Sequence, residues 1–503
     1  MPRKRTNQRQ PRASSVNNNK KYMCSTNQNT SRFKYLLQNF VRFVRKSRFL
    51  NINTLFLKGR RSVEQLREYH LHVSNATTTA THTIAHMTRR PSMDNAFPGV
   101  KHVTLEYIER LKSNLEANTH SGVANRIQKF VSAQQFTSIL NHCTEIIEKE
   151  NTCVYLRPEN PEETVVNVVG DTHGQFHDVL QLLELAGKPS SKNNFVFNGD
   201  FVDRGAWGCE TLLTFVLMKI CFPQDVILIR GNHESEFCTS CYGFERELKV
   251  KFGDANALHH IYPAFLKFCA ALPLACKIGS SALVLHGGLF RSPSQKKSES
   301  KLNPKLGTLK ELSAASKGGF DPSGVGRTLV AGDVMWSDPS HLNGLKPNVQ
   351  RGIGVIFGPE ESRAFMKNEN LKLIIRSHEG PDAREDKPEM SSIQSGFCID
   401  HDLGEDGKLV TIFSAPDYPQ FRDFGDTRHN NEGAFIRLKG ETNFCSVEDV
   451  CTFSATPRPP AECYYDLDIG GSDVEGPSDG SGGGLSSAGE EESSGDGAQT
   501  GIL

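Results

Sequence analysis

VVNVVGDTHGQ, residues 165–175, is the stretch that decides the fold. An apolar run of five that breaks into glycine, a carboxylate and an imidazole reads as a buried strand with metal-binding side chains at its carboxyl end. Four further segments repeat the arrangement. FVF runs into Asn198-Gly199-Asp200-Phe201-Val202-Asp203-Arg204-Gly205, VILI into Arg230-Gly231-Asn232-His233-Glu234, ALVL into His286-Gly287-Gly288, and LKLII into Arg376-Ser377-His378-Glu379.

Asp171 and Asp200 stand 29 residues apart and Asp200 and Asn232 stand 32 apart, close to the ~30 residues of a strand–helix–strand crossover. Helical patterns fill the intervals, with Val179, Leu180, Leu182 and Leu183 in one and Leu212, Leu213, Phe215 and Val216 in the other. Such crossovers are right-handed, so parallel strands deliver successive carboxyl ends to one edge of a sheet. The polar clusters are therefore expected to converge.

What converges is Asp171, Asp200, Asn232, His173, His286 and His378, with His233, Asp203 and arginines close by. Carboxylate, amide and imidazole together suit hard-to-borderline divalent ions such as Mn²⁺, Fe or Zn²⁺. Six such groups are most economically used by two ions sharing Asp200. Two ions about 4 Å apart would clamp the attacking and leaving oxygens of an in-line displacement at phosphorus. That chemistry is phosphoester hydrolysis.

The strings GDTHGQ, GDFVDRG, RGNHES, HGGL, MWSDP, RGIGVIFG and SAPDY follow one another in that order between Gly170 and Tyr418. This set resembles the signature blocks of the metal-dependent serine/threonine phosphoprotein phosphatases, members of the calcineurin-like metallophosphoesterase superfamily. The finer strings DRGAWG, HESEFCTSCYGFE, SHEGPDARE and SAPDYPQF are most similar to the plant protein phosphatase 7 branch. The resemblance covers roughly residues 125–455. It implies an α/β fold, a two-sheet sandwich with flanking helices, and removal of phosphate from phosphoserine and phosphothreonine by a hydroxide bridging two metal ions, Mn²⁺ in vitro or Fe and Zn²⁺.

Residue by residue, the resemblance assigns Asp171, His173 and Asp200 to the first ion and Asp200, Asn232, His286 and His378 to the second. His233 matches the general acid that protonates the leaving alkoxide, and Asp203 its carboxylate partner. Arg204 and Arg351 match the guanidinium groups that hold phosphate oxygens, for which a planar fork is suited. Tyr418 matches the tyrosine beside the scissile phosphate. Arg376 fits either a phosphate contact or a supporting ion pair. Asp417 departs from the asparagine usual in the family, and Pro419-Gln420-Phe421 departs from the usual loop after the tyrosine, so the resemblance does not by itself imply toxin sensitivity.

The chain has 503 residues, 37% hydrophobic, with 58 Lys+Arg balanced by 58 Asp+Glu, enough for one large catalytic domain with appendages. The balance hides an asymmetry: residues 1–60 hold many Lys and Arg and no Asp or Glu, and the chain beyond Asp466 is acidic with no Lys or Arg. Three regions follow: a basic N-terminal region, 1–95, with an amphipathic helix over 32–57; a catalytic domain, 96–455, including two N-terminal helical patterns led by Val103 to Leu115 and by Ile127 to Ile147; and an acidic Gly/Ser-rich disordered tail, 456–503. The two patterns are expected to pack on the sheet.

A basic run at Pro2–Arg5 fits nuclear import, and the 32–57 helix fits a membrane surface, calmodulin or an organelle presequence. Nucleus or cytoplasm is the expected location. No apolar run approaches the ~20 residues of a membrane-spanning helix. Thirteen cysteines without an apolar leader fit a reducing compartment. Cys238 and Cys241, in CxxC spacing, read as two unpaired thiols. The long connection after His286, with Lys296, Lys297, Lys301, Lys305 and Lys310, resembles an insert for calmodulin over 292–325. The expected partners are phosphoproteins and calmodulin, not nucleic acid. Two rivals stand against the phosphatase: a phosphodiesterase or nucleotide phosphohydrolase using the same site, and a scaffold that binds phosphoproteins without turnover.

Overall fold

The computed structural model describes residues 97–295, 304–420, 428–462 and 464. The basic region 1–95, including the helix expected over 32–57, Lys296, Lys297 and Lys301 of the insert, Phe421 and the acidic residues beyond 464 lie outside the described residues.

The VVNVV run forms β2 (Val165–Val169), and β3 (Asn193–Phe197) and β4 (Val226–Leu228) lie parallel beside it. Val169 stands opposite Phe197, and Phe197 opposite Leu228, so the three carboxyl ends finish level. The sheet is completed by antiparallel β13 (Gly433–Lys439) and β14 (Val450–Phe453) on the other side of β2. The second sheet runs β1 (Cys153–Leu156), β5 (Ala275–Ile278), β6 (Ala282–Leu285), β10 (Leu373–Arg376), β12 (Lys408–Ile412) and β11 (Phe397–Asp402). A small sheet of β7 (Asp338–Pro339), β9 (Val355–Phe357) and β8 (Leu345–Pro347) is added. The architecture is the expected two-sheet sandwich, but the five strands divide between its sheets. β2, β3 and β4 belong to one; β6 and β10, parallel neighbours, belong to the other.

Both faces of β2 and β3 are buried, which is why their sequences are apolar runs rather than alternations. Val166, Val168 and Val196 point between the sheets against Val284, Ile375, Val410 and Ile412. Val169, Phe195 and Phe197 point outward under the helices. Each such side chain contributes about 1.5–3 kcal/mol by leaving water. The sheets meet at Gly170, whose neighbour Asp171 bridges to Phe413 at the end of β12. A Cβ at Gly170 would lie 2.5 Å from the Ile412 carbonyl oxygen, so only glycine allows this approach.

The outer helices are α1 (Leu105–Thr119), α2 (Ala133–Ile147), α3 (Phe176–Ala186), α4 (Gly208–Cys221), α5 (Glu236–Cys241), α6 (Phe244–Phe252) and α7 (Tyr262–Ala271). α4 is apolar nearly all round because it is covered on both sides, by the sheet and by α1 and α2. The expectation that α1 and α2 pack on the sheet is corrected in this respect: they lie chiefly on α4 and α7. The second pattern also breaks in two. Ser132 and Gln135 form a reciprocal cap that starts α2, after a separate 3₁₀ turn at Ala124–Lys129, because the cap satisfies amide groups that a continuous helix would leave to its own carbonyls.

The described part of the insert is docked rather than free. Lys317 Nζ donates to the carbonyls of Ile147 and Ala271, at 3.2 and 2.6 Å, the last residues of α2 and α7. Phe320 and Val325 stay exposed. Among the described residues no helix is long and apolar enough to cross a membrane.

Candidate functional site

All the site residues nominated from sequence stand at the carboxyl ends of these strands or on adjoining loops, and all are buried. Several reach their places through left-handed backbone: φ is 42° at His173, 50° at Asp200, 69° at Asp203, 64° at Arg204 and 72° at His378. Each such non-glycine residue costs on the order of 1–3 kcal/mol, and such strain gathers where function compels a geometry.

Asp200 is the centre. His286 Nε2 lies 3.4 Å from its Oδ1, and His173 Nε2 lies 3.8 Å from its Oδ2. Ring orientation is set from behind: His286 Nδ1 donates to the Asn198 carbonyl at 2.7 Å, and His173 Nδ1 to that of Val202 at 3.2 Å. Asn232 turns its Oδ1 toward His286 Nε2 at 2.9 Å and His378 Nδ1 at 2.8 Å. Donor atoms of Asp200, His286 and His378 fall within 4.8 Å of one another, as do those of His173, Asp200 and His233. Asp171 closes the group, its Oδ2 accepting the His378 amide at 3.1 Å.

This donor set fits divalent metal ions. With His286 Nδ1–H committed to the Asn198 carbonyl, its Nε2 meets the Asn232 and Asp200 oxygens with positive charge between them, supplied by a second proton on the ring or by a metal ion. Asp171 Oδ1 and His378 Nε2 are buried without a hydrogen-bond partner, a costly state for polar atoms in a protein interior. Electrostatics point the same way. Burial, then the neighbouring Asp200 charge, pushes the Asp171 carboxyl well above its ordinary range. Burial opposes ionisation of Asp200 too, but the imidazoles of His286 and His233 hold its carboxyl far below the usual value. Burial likewise works against a charged His286, yet Asp200 and Asp171 raise its pKa to about 9. The site attracts cations.

His233 and Asp203 are fully buried and paired, Nδ1 to Oδ2 at 2.7 Å. Burial pushes the Asp203 carboxyl up, and the bond to His233 works against that push. The Arg204 guanidinium lies 4.2 Å over the Tyr242 ring, a cation–π placement that steadies it near His233, whose ring is 5.1 Å from that of Tyr242. Arg351 Nε is held by Asp338 Oδ2 at 2.7 Å. The Tyr418 ring sits 5.3 Å from that of His173.

Arg376 takes the supporting role of the two open to it. It is fully buried, and its guanidinium is taken up by the Gly287 carbonyl at 2.6 Å, Glu379 at 2.8 Å and Asp338 at 3.1 Å. Cys238 and Cys241 form no disulfide and lie on one turn of α5, where Cys238 Sγ faces the Asn232 amide nitrogen at 4.0 Å.

Four supporting residues escaped the sequence reading. Asn198 donates to the Leu285 carbonyl and to Ser377, tying the two sheets together. Glu234 accepts the amides of Asp200, Phe201 and Gly231 at 2.8 to 2.9 Å, so one carboxylate knits two ligand loops. Asp338 and Tyr242 hold the two arginines. All four stand inside a quoted string, Tyr242 in HESEFCTSCYGFE, which was the available signal.

Residues 164–382 match the calcineurin-like phosphoesterase family. The chain is 43% identical to serine/threonine-protein phosphatase 7 of Arabidopsis thaliana over 73% of this chain and 91% of that protein. It is 34% identical to serine/threonine-protein phosphatase T of Saccharomyces cerevisiae over 64% of this chain and 54% of that one. Among solved structures, a protein serine/threonine phosphatase from Saccharomyces cerevisiae, described as similar to human phosphatase PP5, matches with a TM-score of 0.53 and 31% identity, covering 67% of this chain and 94% of that one.

Proposed function

This chain belongs to the serine/threonine-protein phosphatase family within the calcineurin-like phosphoesterases, and from that premise we propose that it hydrolyses phosphoserine and phosphothreonine monoesters in proteins. Asp171, His173, Asp200, Asn232, His286 and His378 hold two divalent ions, manganese in vitro and iron or zinc as alternatives. When bound, the ions supply a water-derived nucleophile and neutralise charge at phosphorus. Arg204 and Arg351 hold the phosphate oxygens, their forks aimed by the Tyr242 ring and Asp338. His233 delivers a proton to the departing serine or threonine oxygen, and Asp203 keeps its Nδ1–H oriented so that Nε2 serves as the acid. Tyr418 forms the wall beside the reacting group.

The observation that carries the reading is the His233–Asp203 pair beside the Asp200 cluster: a buried acid placed against a cation-binding site serves a poor leaving group such as an alkoxide. The catalytic domain is taken as 96–455, with Thr456 and Arg458, expected in the disordered tail, bonded instead to Asp178 and Asp417 of that domain. The Pro2–Arg5 run and cysteines outside disulfides support a nuclear or cytoplasmic location, and calmodulin is assigned to the 292–325 insert or to the basic segment 32–57. Labelled calmodulin binding a chain without 292–325 as tightly as the intact one would move that assignment to the basic segment.

The deciding experiment is manganese-dependent phosphate release from phosphoserine, phosphothreonine and phosphotyrosine peptides with a phosphodiester alongside. Turnover limited to the first two is expected, and cleavage of the diester alone would replace the reading.

A further inference from the structure

Residues 454–462 leave β14 and run beside the loop that carries Tyr418. Asp178, in the first turn of α3 and 1% exposed, is where the segments meet. Its Oδ1 accepts the Thr456 amide at 2.7 Å and the Thr456 hydroxyl at 3.0 Å. Its Oδ2 accepts Gln175 Nε2 at 3.0 Å and Gln420 Nε2 at 2.6 Å. Both glutamine amides also donate to the Pro416 carbonyl, at 2.9 and 3.1 Å. Gln175 lies two residues after His173, and Pro416 and Gln420 bracket Tyr418.

A second anchor stands beside the first. Arg458 Nη2 reaches Asp417 Oδ2 at 3.2 Å and the Gln420 carbonyl at 3.4 Å. Arg428 holds the same Asp417 oxygen at 2.9 Å, but its side chain is 40% exposed against 16% for Arg458, so water screens it more. Asp417 has φ of 49°, a left-handed conformation uncommon outside glycine and better tolerated by aspartate than by most residues.

We propose that Thr456 and Arg458 form a strap, anchored on Asp178 and Asp417, that positions the Tyr418 loop against the catalytic centre. Both act through Tyr418 and are positioning residues. The catalytic consequence rests on the phosphatase reading; the hold on the loop does not.

The test uses the full chain. Hydrogen exchange over residues 414–420 is expected to be about tenfold faster in Arg458→Ala, with a smaller change of the same sign in Thr456→Val, which keeps the amide contact. In a double-mutant cycle, Arg458→Ala lowers kcat/KM for a phosphothreonine peptide about fivefold in the wild type and is silent on Tyr418→Ala. Unchanged exchange, or the same loss on both backgrounds, overturns the strap. A wild-type chain inert toward every monoester overturns the phosphatase reading and leaves exchange to decide the strap.

Discussion

His233 Nδ1 and Asp203 Oδ2 lie 2.7 Å apart with neither side chain exposed, so the imidazole has one orientation and its other nitrogen is committed to the site. His233→Asn is expected to lower kcat by about 10²–10⁴ for a phosphoserine peptide with little change in KM. The loss should shrink for an aryl phosphate, whose leaving group needs no proton. Steady-state kinetics on both substrates checks this, and equal losses would remove the acid role.

Divalent ions should stabilise the chain as well as activate it. Removal by chelation is expected to abolish phosphate release and lower the melting temperature, and an ion at a hundred times its Kd restores about 2.7 kcal/mol. Asp200→Asn should bind less metal and gain nothing on its return. Metal content and thermal melting read this without an assay of activity.

Gly231 is required by close approach. A Cβ there would sit 2.2 Å from Asp200 Oδ1 and 2.6 Å from its amide nitrogen. Gly231→Ala is expected to displace Asp200 and Asn232 together, reducing metal affinity at least about tenfold, the size of effect seen when the support of a ligand is lost. Isothermal titration with Mn²⁺ measures it.

Lys251 is buried between Glu210 and Glu247, at 2.5 and 2.7 Å, and Glu247 in turn accepts the first amides of α4 from Gly208 and Cys209. Burial opposes the Lys251 charge, but Glu210 and Glu247 raise its pKa well above the ordinary value. Lys251→Met strands two carboxylates and is expected to cost about 3–5 kcal/mol in denaturant unfolding. An unchanged midpoint would show the triad to be dispensable.

His177 gives the fold an acid limit. Burial first, then the nearby His120 and Arg458, lowers its pKa from 6.5 to about 4, while Thr119 Oγ1 bonds its Nε2 at 2.9 Å. Below pH 6.5 the unfolded chain takes up a proton that the folded chain refuses, so stability falls as pH drops toward 4, by about 3 kcal/mol in all. His177→Gln should flatten that part of the profile, and the difference between the two unfolding curves across pH 4–7 tests it.

By itself the sequence determined the strand–loop alternation, the donor atoms and the order in which they appear. Apolar runs such as VVNVV bury on both faces wherever they fall, and carboxylates and imidazoles at their ends keep their chemistry in any setting. That is why Asp171, His173, Asp200, Asn232, His286 and His378 were legible from strings alone. Only the tertiary structure decided that β2–β4 and β6–β10 lie in different sheets joined at Gly170, because register and sheet partnership depend on contacts hundreds of residues apart. It also decided what stands behind the donors. Asn198 and Glu234 act through backbone groups and Asp338 through the side chains of Arg351 and Arg376, placements that no spacing encodes, and Arg376 was settled as a supporting residue by burial. The Thr456–Asp178 contact joins positions 278 residues apart, a pairing that exists only once the sandwich has closed.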